Sequence, residues 1–489
     1  MLNLQGIGSK EYLVVPVTSA GPAGFLTGKK GASEPTDKAD KNPNSWFRFD
    51  LFSSNHVQGG QANGPFLDEL TYTPRELSKP DYRMRVSAGF LARLYPGWTL
   101  WQRTVMDSDP TLDPASRTKE FRQIDASVEV PDAALAYDRD ELHAWIGRRW
   151  ERWGPGWTGS LLLEPGAPTP DGFGYSWTSD RWAARYRCAQ LDDVRIGDQY
   201  FPRYLAGHRL DIAVSPTLRI SLAETALVTY GGSVPSWLLN PLLPWCLSQQ
   251  EDRSPTGDTN IFWSLETIWN PSENWSVYGQ FLLDDFMIDI EDRDTHPDQL
   301  GGLAGLLWSG TPPLSSASTK PGRTVWRVGL EYSRLESWTY VHRDPTVRYE
   351  AWSASLGHPA GPDSESLTLF CSRSASSQSG SDQTTPFGLI WARYHRQGQI
   401  WLGTPLSPVG STGIPGPIPP VSRWWQVGSA LKFNLLSGWT GTLRTGWTDT
   451  DPGIPSNGLE PNPSAVDAAS GFWTSFTLTI PVLRIVSDL

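Results

Sequence analysis

The sequence has no apolar run of about eighteen residues or more, so no segment can cross a bilayer as a helix. The stretch nearest to one, Gly231–Gln250, is uncharged but carries Pro235, Pro241 and Pro244, which a helix interior does not tolerate. Cysteine is scarce. Cys188, Cys246 and Cys371 are odd in number and far apart, which excludes a disulfide framework and a cysteine zinc site. The histidines are scattered without metal spacing, and the acidic run Asp289–Gln299 lacks the glycine and ligand spacing of a calcium loop. No metal and no cofactor is therefore expected. Net charge is −11 and no Lys/Arg run stands out, which excludes a nucleic-acid partner. No repeat of fixed period is visible, against a propeller or solenoid. A secretory signal is not evident either: Lys10–Val15 is a feeble start, and Pro16 and Gly21 break the residues after it. Either the numbering begins after a signal was removed, or the start is unusual.

What is present points one way. Charged residues (19%) and hydrophobic residues (38%) are both low, and turn formers and small polar residues fill the difference, with 46 Gly and 41 Pro. Tryptophan stands out at 25 copies. An apolar ring with a polar N–H suits a membrane–water boundary, and it equally suits stacking on sugars. Lysine is scarce and arginine common, as expected where cations line a confined polar lumen and meet anions in fixed geometry.

From Trp46 onward the dominant pattern is alternation with period two. Met84, Val86, Ala88, Phe90, Ala92 and Leu94 alternate with Arg83, Arg85, Ser87, Gly89 and Arg93, with Leu91 the exception. Trp326, Val328, Leu330 and Tyr332 alternate with Arg327, Gly329 and Glu331. Trp425, Val427, Leu431, Phe433 and Leu435 alternate with Gln426, Gly428, Lys432 and Asn434, and Phe472, Phe476, Leu478, Ile480 and Val482 with Trp473, Ser475, Thr477 and Thr479. Each segment thus has a greasy face and a polar face. A soluble β-sandwich would alternate too. Strands long enough to span a bilayer, an off-face of Arg, Glu, Lys and Gly, and aromatics at strand ends favour a membrane barrel. The expected fold is all-β: one transmembrane barrel of about 16–18 antiparallel strands over 46–489, with long loops closing one end. Residues 1–45 are expected to be a mobile or periplasmic segment.

Two stretches go beyond composition. The first is Trp145–Ser176, WIGRRWERWGPGWTGSLLLEPGAPTPDGFGYS; the second runs from Arg203 to Asp289 through RYLAGHRLDI, LRISLAETALVTYGG, NPLLPW and YGQFLLDDFMID. Together they resemble the capsule assembly Wzi family of outer-membrane proteins, best over Trp145–Asp289. The resemblance implies a barrel of about eighteen strands with its outer mouth closed by folded loops. It also implies a lectin-like role, holding long-chain polysaccharide at the cell surface.

The same residues have physical readings of their own. In Trp153-Gly154-Pro155-Gly156, proline and two glycines make a sharp turn beside an aromatic anchor, preceded by Arg148, Arg149 and Arg152. A periplasmic or lumenal turn is one reading, and direct anion or sugar binding the other. Before Asp284 and Asp285 the apolar phase is Trp275, Val277, Phe281 and Leu283; after them it is Phe286, Ile288 and Ile290. One extra residue produces that switch, so a β-bulge is expected there, turning the carboxylates inward toward Arg209 or Arg219. Glu224 sits in the apolar phase of Leu218, Ile220, Leu222, Ala226 and Val228. It marks a second bulge or a place where Gly231–Gln250 folds back on the strand. That segment, with Trp237, Asn240 and Trp245, is expected to close or constrict the barrel, or else to pack on a partner or the lipid surface.

No nucleophile or histidine accompanies the paired aspartates, so no enzyme is expected. The expected function is a non-enzymatic barrel, in the outer membrane of a Gram-negative cell, that binds or organises surface polysaccharide. Its alternatives are an open channel for sugars or anions and a structural scaffold for other envelope proteins. Lipid and polysaccharide are the expected partners.

Overall fold

The computed structural model describes residues 46–60, 65–67, 74–76, 81–108, 126–165, 168–229, 234–246, 259–285, 299–310, 324–375, 387–404, 417–436, 439–451 and 470–488. The segment 1–45 lies outside them.

Eighteen antiparallel strands form one sheet. They are β1 (Trp46–Gly60), β2 (Asp81–Tyr95), β3 (Trp98–Asp107), β4 (Ser127–Arg139), β5 (Leu142–Arg148), β6 (Asp171–Thr178), β7 (Trp182–Gln190), β8 (Arg203–Ala213) and β9 (Leu218–Thr229), then β10 (Thr259–Ser272), β11 (Trp275–Asp285), β12 (Gln299–Gly310), β13 (Thr324–Leu335), β14 (Ser364–Ala375), β15 (Phe387–Gln397), β16 (Ser422–Leu436), β17 (Trp439–Asp451) and β18 (Ser470–Asp488). Each pairs with its neighbours in sequence, and β1 pairs with both β2 and β18, so the sheet closes on itself. Closure leaves no edge with unpaired backbone, which is what lets strands cross hydrocarbon.

Trp46 lies opposite Asp488, so both ends of the barrel chain emerge at one rim. Short turns follow β2, β4 and β10 at that rim, whereas the chain between β5 and β6, β9 and β10, or β13 and β14 is long and leaves from the opposite rim. Short periplasmic turns and longer outer loops are the outer-membrane pattern, which puts the long connections outside.

The predicted faces are the observed ones. Leu222, Leu265, Leu306, Leu330, Leu369, Ile390, Val427 and Leu443 are exposed around the outer surface, while Ser333, Glu331, Thr368, Arg393 and Gln426 are buried toward the lumen. Exposed Tyr95, Trp98, Trp177, Trp182, Trp269 and Trp275 lie near the short-turn rim, and Trp263, Tyr332, Trp425 and Phe472 near the other. These are two interface girdles flanking an apolar belt.

Candidate functional site: a filled lumen and a covered outer wall

The larger apolar cluster lies inside the barrel and is built around two inward-folded connections. The first follows β5. Its Trp153 is 1% exposed, and Trp153 N–H donates to the Leu163 carbonyl at 3.0 Å, tying the two limbs of the loop together. Arg152 Nε donates to Glu164 at 2.8 Å, and its guanidinium also reaches the Gly156 carbonyl. A Cβ on Gly156 would collide with the Gly159 carbonyl, so only glycine fits this turn. The barrel wall then grips the loop. Gln280 on β11 accepts from Leu161 N–H at 2.8 Å and donates to the Trp153 carbonyl at 3.2 Å. Glu331 on β13 accepts from Thr158 N–H at 2.7 Å, from Tyr278 Oη–H at 2.7 Å, and from Trp157 N–H and the Thr158 hydroxyl. Trp157 stacks on Phe370 with ring centroids 3.6 Å apart.

The second connection joins β13 to β14, and the sequence pattern did not point to it. Its Tyr340 and Tyr349 hydroxyls donate to the Leu161 and Leu162 carbonyls at 2.5 and 2.8 Å, so the two loops bind each other. Thr225 bonds Tyr349 Oη at 3.0 Å, and Asn260 donates to the Val347 carbonyl at 3.2 Å. Asp363 accepts from Ile400 N–H at 3.0 Å and Ile418 N–H at 2.9 Å, which draws in the next outer connection. Burial raises the Tyr340 phenol well above its usual range. Burial, with Arg393 and Arg152 nearby, pushes His358 down to about 3. Ala360 N–H donates to its Nδ1 at 3.2 Å, as a neutral ring requires. One signal was available: between Trp338 and Trp352 the sequence is aromatic, holds Pro345 and has no strand period.

Arg152 and Trp153 thus belong to a lumenal turn, reached from the long-loop rim and not the periplasmic one. The β-bulge at the Asp pair is present, since the register with β12 shifts between Leu283 and Asp285. Asp284 turns inward as expected, and it accepts from Tyr340 N–H at 2.6 Å. Of the two expected arginines, Arg209 is engaged elsewhere: it holds Asp211 at 2.7 Å and Glu266 at 2.6 Å. The side chain of Asp285 lies outside the described residues.

The expectation that Gly231–Gln250 constricts the barrel is corrected. Its described part, Val234–Cys246, lies on the outer wall. Ala226 and Val228, in the outward phase of β9, are buried under it together with Tyr186, Tyr204, Ala206 and Ile261. Glu224 shares that phase and latches the flap. It accepts from Trp245 N–H at 3.0 Å and Cys246 N–H at 2.9 Å, while Trp263 Nε1–H reaches it at 2.8 Å and His208 Nε2 at 2.8 Å. His208 stacks on Trp245 at 4.4 Å. Asn240 makes the predicted turn, its side chain accepting from Leu242 N–H at 3.1 Å, yet it touches no lumen wall; Trp237 packs with the same outer cluster. The physical reason is that an apolar segment avoids water equally well by facing lipid as by filling a lumen. Glu224 decides between them, because its strand phase points it outward and the flap amides of Trp245 and Cys246 meet it there, beside Trp263 and His208 of the wall.

No protein-family model matches the chain. No curated protein matches it. Among solved structures, the chain is similar to Wzi of Escherichia coli, described as an outer-membrane protein involved in group 1 capsule assembly and a carbohydrate-binding β-barrel. The TM-score is 0.55 at 13% identity, over 88% of this chain and 84% of that one. The fold is that of a large outer-membrane β-barrel. OccD3 of Pseudomonas aeruginosa aligns with a TM-score of 0.46 at 8% identity, over 89% of this chain and 92% of that one.

Proposed function

We propose that this protein is a non-enzymatic outer-membrane barrel that binds or organises surface polysaccharide at its long-loop face. The observation that carries the reading is the shared lumenal core: two outer connections fold inward, bond each other through Tyr340 and Tyr349, and are gripped by Gln280 and Glu331. A barrel filled in this way suits retention at the surface better than passage. The carboxylates best placed for acid–base chemistry, Glu331, Asp284 and Glu224, are each occupied by backbone amides. Tyr200 and Trp401, exposed in outer connections, offer rings of the kind that stack on sugars. The Escherichia coli barrel of similar fold is described as carbohydrate-binding, in keeping with this reading.

A channel for sugars or anions has one observation in its favour. Apart from Leu191, just beyond β7, the lumenal core draws its wall residues from β8 onward, and the opposite wall presents Arg83 and Arg103 beside Asp107 and Asp132. Planar-bilayer recording tests the two. The intact protein should pass little current and should bind long-chain polysaccharide in detergent. A steady open-pore conductance from the intact protein would overturn the closed reading.

A further inference from the structure

We infer that Arg187 anchors a binding site for a carboxylate-bearing sugar, entered when Trp150 swings off its guanidinium. The inference rests on the polysaccharide-binding reading above and names the chemistry of the sugar. Arg187 lies on β7 and points into the lumen. It is fully buried, and its Nε, Nη1 and Nη2 have no hydrogen-bond partner among the described residues. Trp150 lies against it, with the ring centroid 5.5 Å from Cζ. A guanidinium offers five N–H donors. Burying all of them unused is unfavourable unless an anion completes the site.

The wall on both sides of Arg187 is glycine covered by indoles. Arg187 pairs across strands with Gly174 on one side and Gly207 on the other. Neither can carry a side chain. A Cβ on Gly174 would lie 2.7 Å from Trp145 Nε1, and a Cβ on Gly207 would lie 2.7 Å from the Trp153 ring. Trp145 and Trp153 therefore cover the two glycines, with Arg187 and Trp150 between them. Trp153 Nε1–H is also without an acceptor among the described residues. Indole faces suit a sugar ring, and the planar guanidinium fork suits two carboxylate oxygens. The nearby charges are Arg149, which repels Arg187, and Glu151, which attracts it. Glu151 is engaged by Trp145 Nε1–H at 3.2 Å and forms no ion pair with Arg187 among the described residues. Trp150 follows the end of β5, and its backbone is in no strand. It can move without breaking the barrel ladder.

The test uses the whole protein in detergent, titrated with trigalacturonate, maltotriose and sodium sulfate and followed by tryptophan fluorescence. Heat-modifiable gel migration verifies folding of each variant. Trigalacturonate should bind in preference to maltotriose. Arg187→Gln should weaken trigalacturonate binding by about tenfold or more, a change of roughly 1.4 kcal/mol. It should leave maltotriose binding unchanged. Trp150→Ala should speed trigalacturonate association, which also tests the site if Arg187→Gln does not fold. The inference is overturned if the intact protein fails to bind trigalacturonate or does not prefer it to maltotriose. It is equally overturned if sulfate alone displaces trigalacturonate completely, marking a site for an adventitious ion only, or if a folded Arg187→Gln or Trp150→Ala variant behaves as the intact protein does. Maltotriose binding without dependence on Arg187 would leave the polysaccharide reading standing, whereas an open-pore conductance would remove that reading whatever Arg187 does.

Discussion

Glu331 and Thr158, far apart in sequence, meet at 2.7 Å in the lumen, where the carboxylate of β13 accepts the backbone N–H of the first inserted loop. The same carboxylate also takes Trp157 N–H, the Thr158 hydroxyl and Tyr278 Oη–H. Glu331→Ala would leave these donors buried and unanswered, at about 1–3 kcal/mol for each group left without a partner. The variant should unfold at lower denaturant and pass current in planar bilayers that the intact protein does not. A quiet Glu331→Ala barrel of unchanged stability would mean that the loop is held by other contacts.

The outer flap should behave differently. Glu224→Ala removes the acceptor for Trp245 N–H and Cys246 N–H, so Val234–Cys246 should loosen and become sensitive to protease. Conductance should not rise, because the flap lies outside the wall. A rise in current on this substitution would return the segment to the lumen.

His358 gives a pH dependence with a defined sign. Its folded value of about 3 lies below the ordinary 6.5, so the packed ring stays neutral while an unpacked one takes a proton. The stabilisation is complete above about pH 6.5 and falls as pH drops toward 3, by up to roughly 1.4 kcal/mol per pH unit. Glu164 and Asp363, both raised by burial, act in the opposite direction. Comparison with His358→Gln isolates the histidine: denaturation midpoints of the two proteins should converge as pH falls from 7 to 4. A constant gap would show that His358 does not titrate between the packed and unpacked states.

Leu330 faces lipid, 44% exposed in the middle of β13. Leu330→Arg should cost about 2–4 kcal/mol if it lies near the midplane. Thr368→Ser, on the neighbouring strand but facing the lumen, is the matched control and should cost far less. Urea titration in lipid vesicles measures both, and equal losses would contradict the assignment of faces.

The barrel was legible because a lipid-facing side and a lumen-facing side give its strands period two, and Val328, Leu330 and Tyr332 against Glu331 show it directly. The bulge at Asp284 was legible for the same reason, as a break in that period. The placement of Val234–Cys246 was only half legible. Its composition demanded burial without naming the surface, and the outward phase of Glu224 held the answer. The second inserted loop was hidden because Tyr340, Val347 and Tyr349 are spaced by the shape of a lumen, not by a strand or a helix. Arg209, one of the two arginines expected for the Asp pair, is held elsewhere because ion pairs follow strand register. Arg209 found Asp211 two residues along its own strand and Glu266 across the sheet, before any more distant carboxylate.

The pairing of Trp46 with Asp488 makes the seam of the barrel a contact between the earliest and latest strands of the described chain. Assembly therefore cannot finish until β18 has left the ribosome and crossed to the membrane, and contacts of such long sequence separation form slowly. Trp157, in the loop after β5, and Phe370, on β14, must meet across the unfinished sheet. An open sheet gives the two inserted loops a lateral entrance that the closed cylinder no longer has, so the order of events is built into the topology: the contents dock first, and the seam zips around them.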